Sequence, residues 1–308
     1  LIAGGPTTRA GWGVPMATDI AFAVGVLTLL GKRVPAALRV LLLALAVIDD
    51  LGAIVVIAVC YASGVALAGL LVAAVGVGGV IGLQNLGVHA RSAYIVPAVV
   101  IWAGFHKAGI HPTIAGVIVG LLTPVRAPPR RSPASATTLS HIDATHQQER
   151  SPADHLIETL HPWVAYGIMP LFALANAGVP IAMQPLDATT TTVVVAIASG
   201  LVVGKPVGIL VAIWLTLRLR LGVLPVGLGL RHLVVLGLVA GVGFTMALFV
   251  AQLAFADPGL LAGAKTGVLL ASCCAAVLGL ALGRWLLPST TSAAAAQTVD
   301  EAERSTEL

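Results

Sequence analysis

Two aspartates, Asp49 and Asp50, stand side by side near the middle of an apolar run that extends from Ala36 to Val59. A run of that length can cross a bilayer, which takes about 20 residues. One Asp at the centre of such a helix costs about 2.5–3.5 kcal/mol on insertion scales. An ion, a proton or a basic partner has to offset that cost. The setting leaves little choice of fold class. The chain is 58% hydrophobic and 10% charged, with a mean hydropathy of +0.99, where a soluble chain carries about 25% charged residues. It reads as an all-α polytopic membrane protein. No segment alternates like a ten-residue membrane strand, which argues against a β-barrel.

Run length and breakers predict nine spans. They are 14–31, 36–61, 65–83, 93–105, 110–124, 160–178, 191–217, 233–255 and 262–287. The fourth and fifth are short enough to be tilted, re-entrant or partly unwound. Lys and Arg gather in alternate connections: Lys32 and Arg33, Arg91, Arg126 to Arg150, Arg218 to Arg231, and Arg284. Lys107 and Lys265 break the alternation. The positive-inside rule puts the Arg-rich set in the cytoplasm, with a cytoplasmic C-terminus. The net charge of +4 is therefore a topology signal and not a nucleic-acid footprint. Within a membrane domain of residues 1–288, residues 125–157 read as a cytoplasmic loop, and 289–308 as a disordered cytoplasmic tail. Nine spans with that orientation put Leu1 outside. No signal peptide precedes it, so an odd number of upstream helices is expected.

Three spans carry charges away from their ends: Asp19, the Asp49–Asp50 pair, and Lys205. Such groups face a bundle interior and pair with one another. Three acids and one base leave a net negative site, which calls for a cation. Adjacent helix positions differ by about 100°, so Asp49 and Asp50 point apart. One can reach a cation cavity while the other meets a partner, and Lys205 is the obvious partner for one of them. Hard alkali cations prefer oxygen ligands, available from carboxylates, the Thr18 hydroxyl and unwound carbonyls. Low dielectric disfavours an ionised carboxylate, so a proton and a sodium-like ion compete for the same oxygens. Pro15 before Thr18–Asp19, and Gly237, Gly241 and Gly243 in the eighth span, suggest interrupted helices, a recurring ion-site device of transporters. An Asp facing a helix N-terminus, or Lys205 facing a C-terminus, would strengthen that reading.

Several segments together resemble NhaA-type Na+/H+ antiporters: Ala17-Thr18-Asp19-Ile20-Ala21-Phe22, Ala46-Val47-Ile48-Asp49-Asp50-Leu51-Gly52-Ala53, Gly109-Ile110-His111-Pro112-Thr113, Leu160-His161-Pro162-Trp163, Phe172-Ala173-Leu174-Ala175-Asn176-Ala177-Gly178, Gly204-Lys205-Pro206 and Gly241-Val242-Gly243-Phe244-Thr245-Met246. The resemblance runs from about residue 11 to 287. It implies an inverted-repeat fold of twelve helices, of which these look like the fourth to twelfth. It implies that Asp50 carries the ion and the proton and that Asp49, its neighbour in the Na+ site, pairs with Lys205. It further implies that Asp19 balances the charge of two crossed, interrupted helices, with Thr18 beside it and the crossing partner at 241–245. His111 and Glu158 match positions linked to pH response. Glu158 departs from a pattern that can hold a second His three residues before His161. The family's N-terminal dimer contact would lie upstream, which leaves a homodimer as a possibility.

The expected activity is exchange of cytoplasmic Na+ or Li+ for external H+. The alternatives are a sodium-coupled solute symporter of similar fold and a truncated membrane protein that does not transport. No cofactor is expected, there is no Gly-x-x-x-x-Gly-Lys-Ser/Thr motif, and no hydrolytic arrangement stands at membrane depth, so the chain is not expected to be an enzyme. The lipid bilayer is its expected environment.

Overall fold

The computed structural model describes residues 5–61, 66–88, 91–123, 152–178, 187–225 and 227–287, all of them helix or connection with no strand among them. The expected tail 289–308 and most of the expected loop 125–157 lie outside these residues. Within the described part of that loop a helix begins at Pro152, where proline at a first turn sacrifices no hydrogen bond.

A short turn, Pro6–Arg9, runs into a 3-10 helix, Ala10–Met16. After three non-helical residues come α1 (Ile20–Leu29) and α2 (Ala36–Cys60). Then follow α3 (Leu67–Asn85), α4 (Arg91–Ala108), α5 (Thr113–Leu122) and α6 (Pro152–Trp163). A π-helical turn, Val164–Ile168, joins α6 to α7 (Met169–Ala177). Another, Gly200–Gly204, joins α8 (Ala188–Ser199) to α9 (Lys205–Arg218). The last three helices are α10 (Leu230–Ala240), α11 (Phe244–Ala254) and α12 (Pro258–Leu286).

Both π turns end one residue before an X-Pro step, Met169-Pro170 and Lys205-Pro206. Proline has no N–H for the carbonyl four residues back and crowds it. That carbonyl falls inside the turn in each case, and the helix widens there instead of breaking.

Five stretches are long and apolar enough to span a membrane: Ala10–Leu29, Ala36–Cys60, Leu67–Asn85, Ala188–Arg218 and Pro258–Leu286. The pair α10 and α11, bent by 47°, makes a sixth. The remaining expected spans are not full crossings by length and composition. The apolar helix Ala93–Ala108 and α5 are shorter. At 1.5 Å per residue α5 reaches about 15 Å, half of a bilayer core of about 30 Å. The Pro152–Ala177 run begins in polar sequence.

The chain forms two compact units, Leu1–Val56 with Leu174–Leu308, and Ile57–Ala173. In the first, Leu27, Leu38, Leu42, Leu236, Val239 and Leu287 build one buried core. In the second, α3 lies against α4 around Ala73, Val80, Ile101 and Phe105. Close helix approach through small residues is the usual membrane solution. A Cβ on Gly76 would come within 2.6 Å of Ile101 Cγ1.

A candidate ion site at two interrupted helices

The first interruption is Ala17–Asp19. Pro15 sits in the 3-10 helix, Ala17 is extended, and Asp19 is the N-cap of α1, its Oδ1 accepting from the Phe22 N–H at 3.2 Å. The second is Gly241–Gly243, between α10 and α11. The two breaks bond to each other. The Asp19 N–H donates to the Val242 carbonyl at 2.8 Å. Asp19 Oδ2 accepts from the Thr245 N–H at 2.9 Å and from the Thr245 hydroxyl at 2.5 Å. Asp19 is 1% exposed, yet its carboxylate meets N–H groups at the starts of α1 and α11. Helix N-termini carry partial positive charge, so this buried anion is compensated by two helix starts together with the Thr245 hydroxyl. The Phe22 and Phe244 rings pack edge to face beside it, centroids 4.8 Å apart.

The carbonyl that ends the 3-10 helix faces the Lys205 ammonium. Lys205 Nζ donates to Met16 O at 2.7 Å and to Thr18 Oγ1 at 2.6 Å, and lies 3.1 Å from Asp49 Oδ2. An ammonium has three donors, and all three are used. Thr18 Oγ1 accepts from Lys205, donates to Asp49 Oδ2 at 2.9 Å, and lies 3.2 Å from the Ala240 carbonyl at the end of α10. Met16 closes the 3-10 helix and Ala240 closes α10, so both carbonyls belong to negative helix ends. This is the Lys-at-a-C-terminus arrangement that the sequence reading asked for.

Asp50 is different. Its Oδ1 is buried without a hydrogen-bond partner among the described residues. Of the three intramembrane acids, Asp19 is satisfied by two helix starts and Asp49 by Lys205 and Thr18. Asp50 is left with an unsatisfied oxygen. A cavity of about 290 Å³ has Arg9, Trp12, Pro15, Ile197, Gly200 and Phe255 among its walls.

A model of the family described as Na+/H+ antiporter 1 matches residues 1–282. The chain belongs to that family. It is 61% identical to a Na(+)/H(+) antiporter NhaA 2 of Myxococcus xanthus, over all of this chain and 70% of that relative. It is 50% identical to the NhaA 2 of Sorangium cellulosum, over 98% of this chain and 70% of the relative. Against an Escherichia coli Na(+)/H(+) antiporter NhaA it is 46% identical, over 89% of this chain and 66% of the relative.

Within this antiporter-family chain, Thr18, Asp19, Asp49, Asp50 and Lys205 all fall in the unit built from Leu1–Val56 and Leu174–Leu308. His111 and Glu158 fall in the other. His111 lies in the connection from α4 to α5, its Nδ1 3.1 Å from Thr113 Oγ1, and Glu158 lies on α6. The Thr18 hydroxyl, expected as one of the oxygens available to a cation, is hydrogen-bonded to both Lys205 and Asp49. The carbonyls of Met16, Ala240 and Val242 were not foreseen. Every residue has a carbonyl, so identity gives no signal; only the proline and glycine breakers hinted where carbonyls come free.

Proposed function

We propose that this chain exchanges Na+ for H+ across a bacterial inner membrane, with Asp50 as the group that binds either ion. The observation that carries this is the unsatisfied, buried Asp50 Oδ1 beside two acids that are already neutralised. Family membership and the names of the relatives support the exchange of these two ions. A buried carboxylate with no partner needs either a proton or a cation. Sodium and the smaller lithium are hard cations that oxygen ligands suit, which supports Li+ as a second cargo.

Asp50 loses its proton on the cytoplasmic side and takes Na+ there. Access then switches, Na+ leaves outside, and an external proton takes its place. Asp49 and Lys205 hold the wall of the site in this scheme. The Lys205 contacts span α2, the first interruption and α9, so any shift of one element is felt by the other two. Asp49 Oδ1 remains available as a further oxygen for the cation, while its Oδ2 serves Lys205. His111 and Glu158 are the proposed pH-responsive positions.

Asp50→Asn tests the central claim. Reconstituted in proteoliposomes, the variant should insert and melt like the parent yet give no Na+-driven proton flux. Flux at the parent's rate would remove Asp50 from the mechanism.

A further inference from the structure

α11 carries only two polar side chains, Thr245 and Gln252. They are seven residues apart, about 20° short of two full helical turns, so they share one face. Thr245 meets Asp19 at the start of the helix. Gln252, two turns on, donates from Nε2 to Oδ1 of Asn176 near the end of α7. Asn176 is 8% exposed and one of few buried polar side chains among the described residues. An amide held in an apolar bundle is costly unless bonded. The ion site uses the first polar contact of α11 and makes no use of the second.

We infer that Asn176 and Gln252 are positioning residues for ion exchange: their amide pair fixes the far end of α11, and with it the place where the Thr245 N–H and hydroxyl meet Asp19. α11 is a short, stiff rod of eleven residues. Its near end begins directly after the Gly241–Gly243 break, where the chain turns by 47° out of the line of α10. A side-chain tie two turns away sets the tilt that the break leaves open. A tilt error at Gln252 is carried back to the helix start, where Asp19 depends on well-aimed N–H donors. Neither residue touches the ion in this scheme. The inference rests on the exchange reading above.

The test uses the full chain in proteoliposomes, measuring Na+-driven proton flux against Na+ concentration and pH, with melting in detergent alongside. Four variants are compared: Gln252→Met, which keeps length and removes the amide; Asn176→Leu; the two combined; and the exchange Asn176→Gln with Gln252→Asn, which keeps the summed length of the pair. Each single variant should lower maximal flux about fivefold, the size expected for one lost hydrogen bond, and shift the pH profile. The combined variant should be no worse than the poorer single one, and the length-preserving exchange should return flux to within about twofold of the parent. The Gln252 side chain is itself exposed, so Gln252→Met decides the matter even where Asn176→Leu does not fold. Parent-like rate, Na+ dependence and pH profile in Gln252→Met would overturn the inference. So would losses that multiply in the combined variant, or flux that falls only with the amount of folded protein. A parent chain without Na+-driven flux overturns the exchange reading itself, and that outcome is recognised before any variant is made.

Discussion

Lys205 has three N–H groups and three acceptors to meet them: Asp49, Thr18 and the Met16 carbonyl. Its side chain is 8% exposed and that of Asp49 23%, so the pair is screened little by water. Removing one member of a buried ion pair leaves the other uncompensated and costs about 3–5 kcal/mol, whereas replacing both with apolar groups is often neutral. Lys205→Ala should therefore lower the melting temperature in detergent sharply. Lys205→Met combined with Asp49→Leu should recover most of the loss. Equal melting of the parent and Lys205→Ala would mean that the pair contributes nothing to the fold. The same reasoning separates the acids: Asp19 and Asp49 have hydrogen-bonded partners, and the Oδ1 of Asp50 has none among the described residues, which is why the proposed exchange assigns the arriving ion to it.

At the scale of elements, the site depends on how closely the α10–α11 break approaches the π turn Gly200–Gly204. A Cβ on Gly241 would meet the Leu201 carbonyl at 2.5 Å, and backbone cannot rotate away as a side chain can. Gly241→Ala should push these elements apart, costing about 1–3 kcal/mol as overpacking does, and should reduce exchange with it. Gly208, in α9, has open space where its Cβ would go, so Gly208→Ala serves as the control and should leave melting within about 0.5 kcal/mol or raise it slightly. If both variants melt alike, the close approach at Gly241 is not what the break requires. The π turn itself follows from Pro206, and a wide turn directly before Lys205 carries that side chain toward the Met16 carbonyl.

At the scale of the whole molecule, exchange requires that the two ions exclude each other. Protonation of the site removes the negative oxygen that Na+ needs, so acid must weaken Na+ binding. Where the site is mostly protonated, one-for-one competition lowers apparent Na+ affinity about tenfold for each pH unit of acidification. Above that range the affinity should level off. Isothermal calorimetry on the folded protein across pH measures this directly, and an affinity that does not change with pH would sink the exchange mechanism. The same series with His111→Gln asks whether His111 adds to the profile. A displaced midpoint supports a sensing role, and an unmoved one assigns the whole pH response to the ion site.

The four charges of the site were legible in the sequence because lipid makes them expensive: Asp19, Asp49, Asp50 and Lys205 stand out against an apolar background, and cost is readable residue by residue. The interruptions were legible too, since Pro15, Gly241 and Gly243 weaken a helix where they stand. Composition and run length were enough for the fold class. Run length does not tell where a helix starts, as Pro152 and Thr113 demonstrate: among the described residues five stretches and one bent pair are long and apolar enough to cross. The family resemblance pointed to Lys205 for Asp49 and to 241–245 for Asp19, but the atoms that meet were decided by tertiary structure: Thr18 joins the Asp49–Lys205 pair, and Asp19 takes the Thr245 N–H and hydroxyl, 226 positions away in the chain. A side chain declares its charge locally, but which helix end or ammonium neutralises it depends on distances that exist only after distant segments have packed.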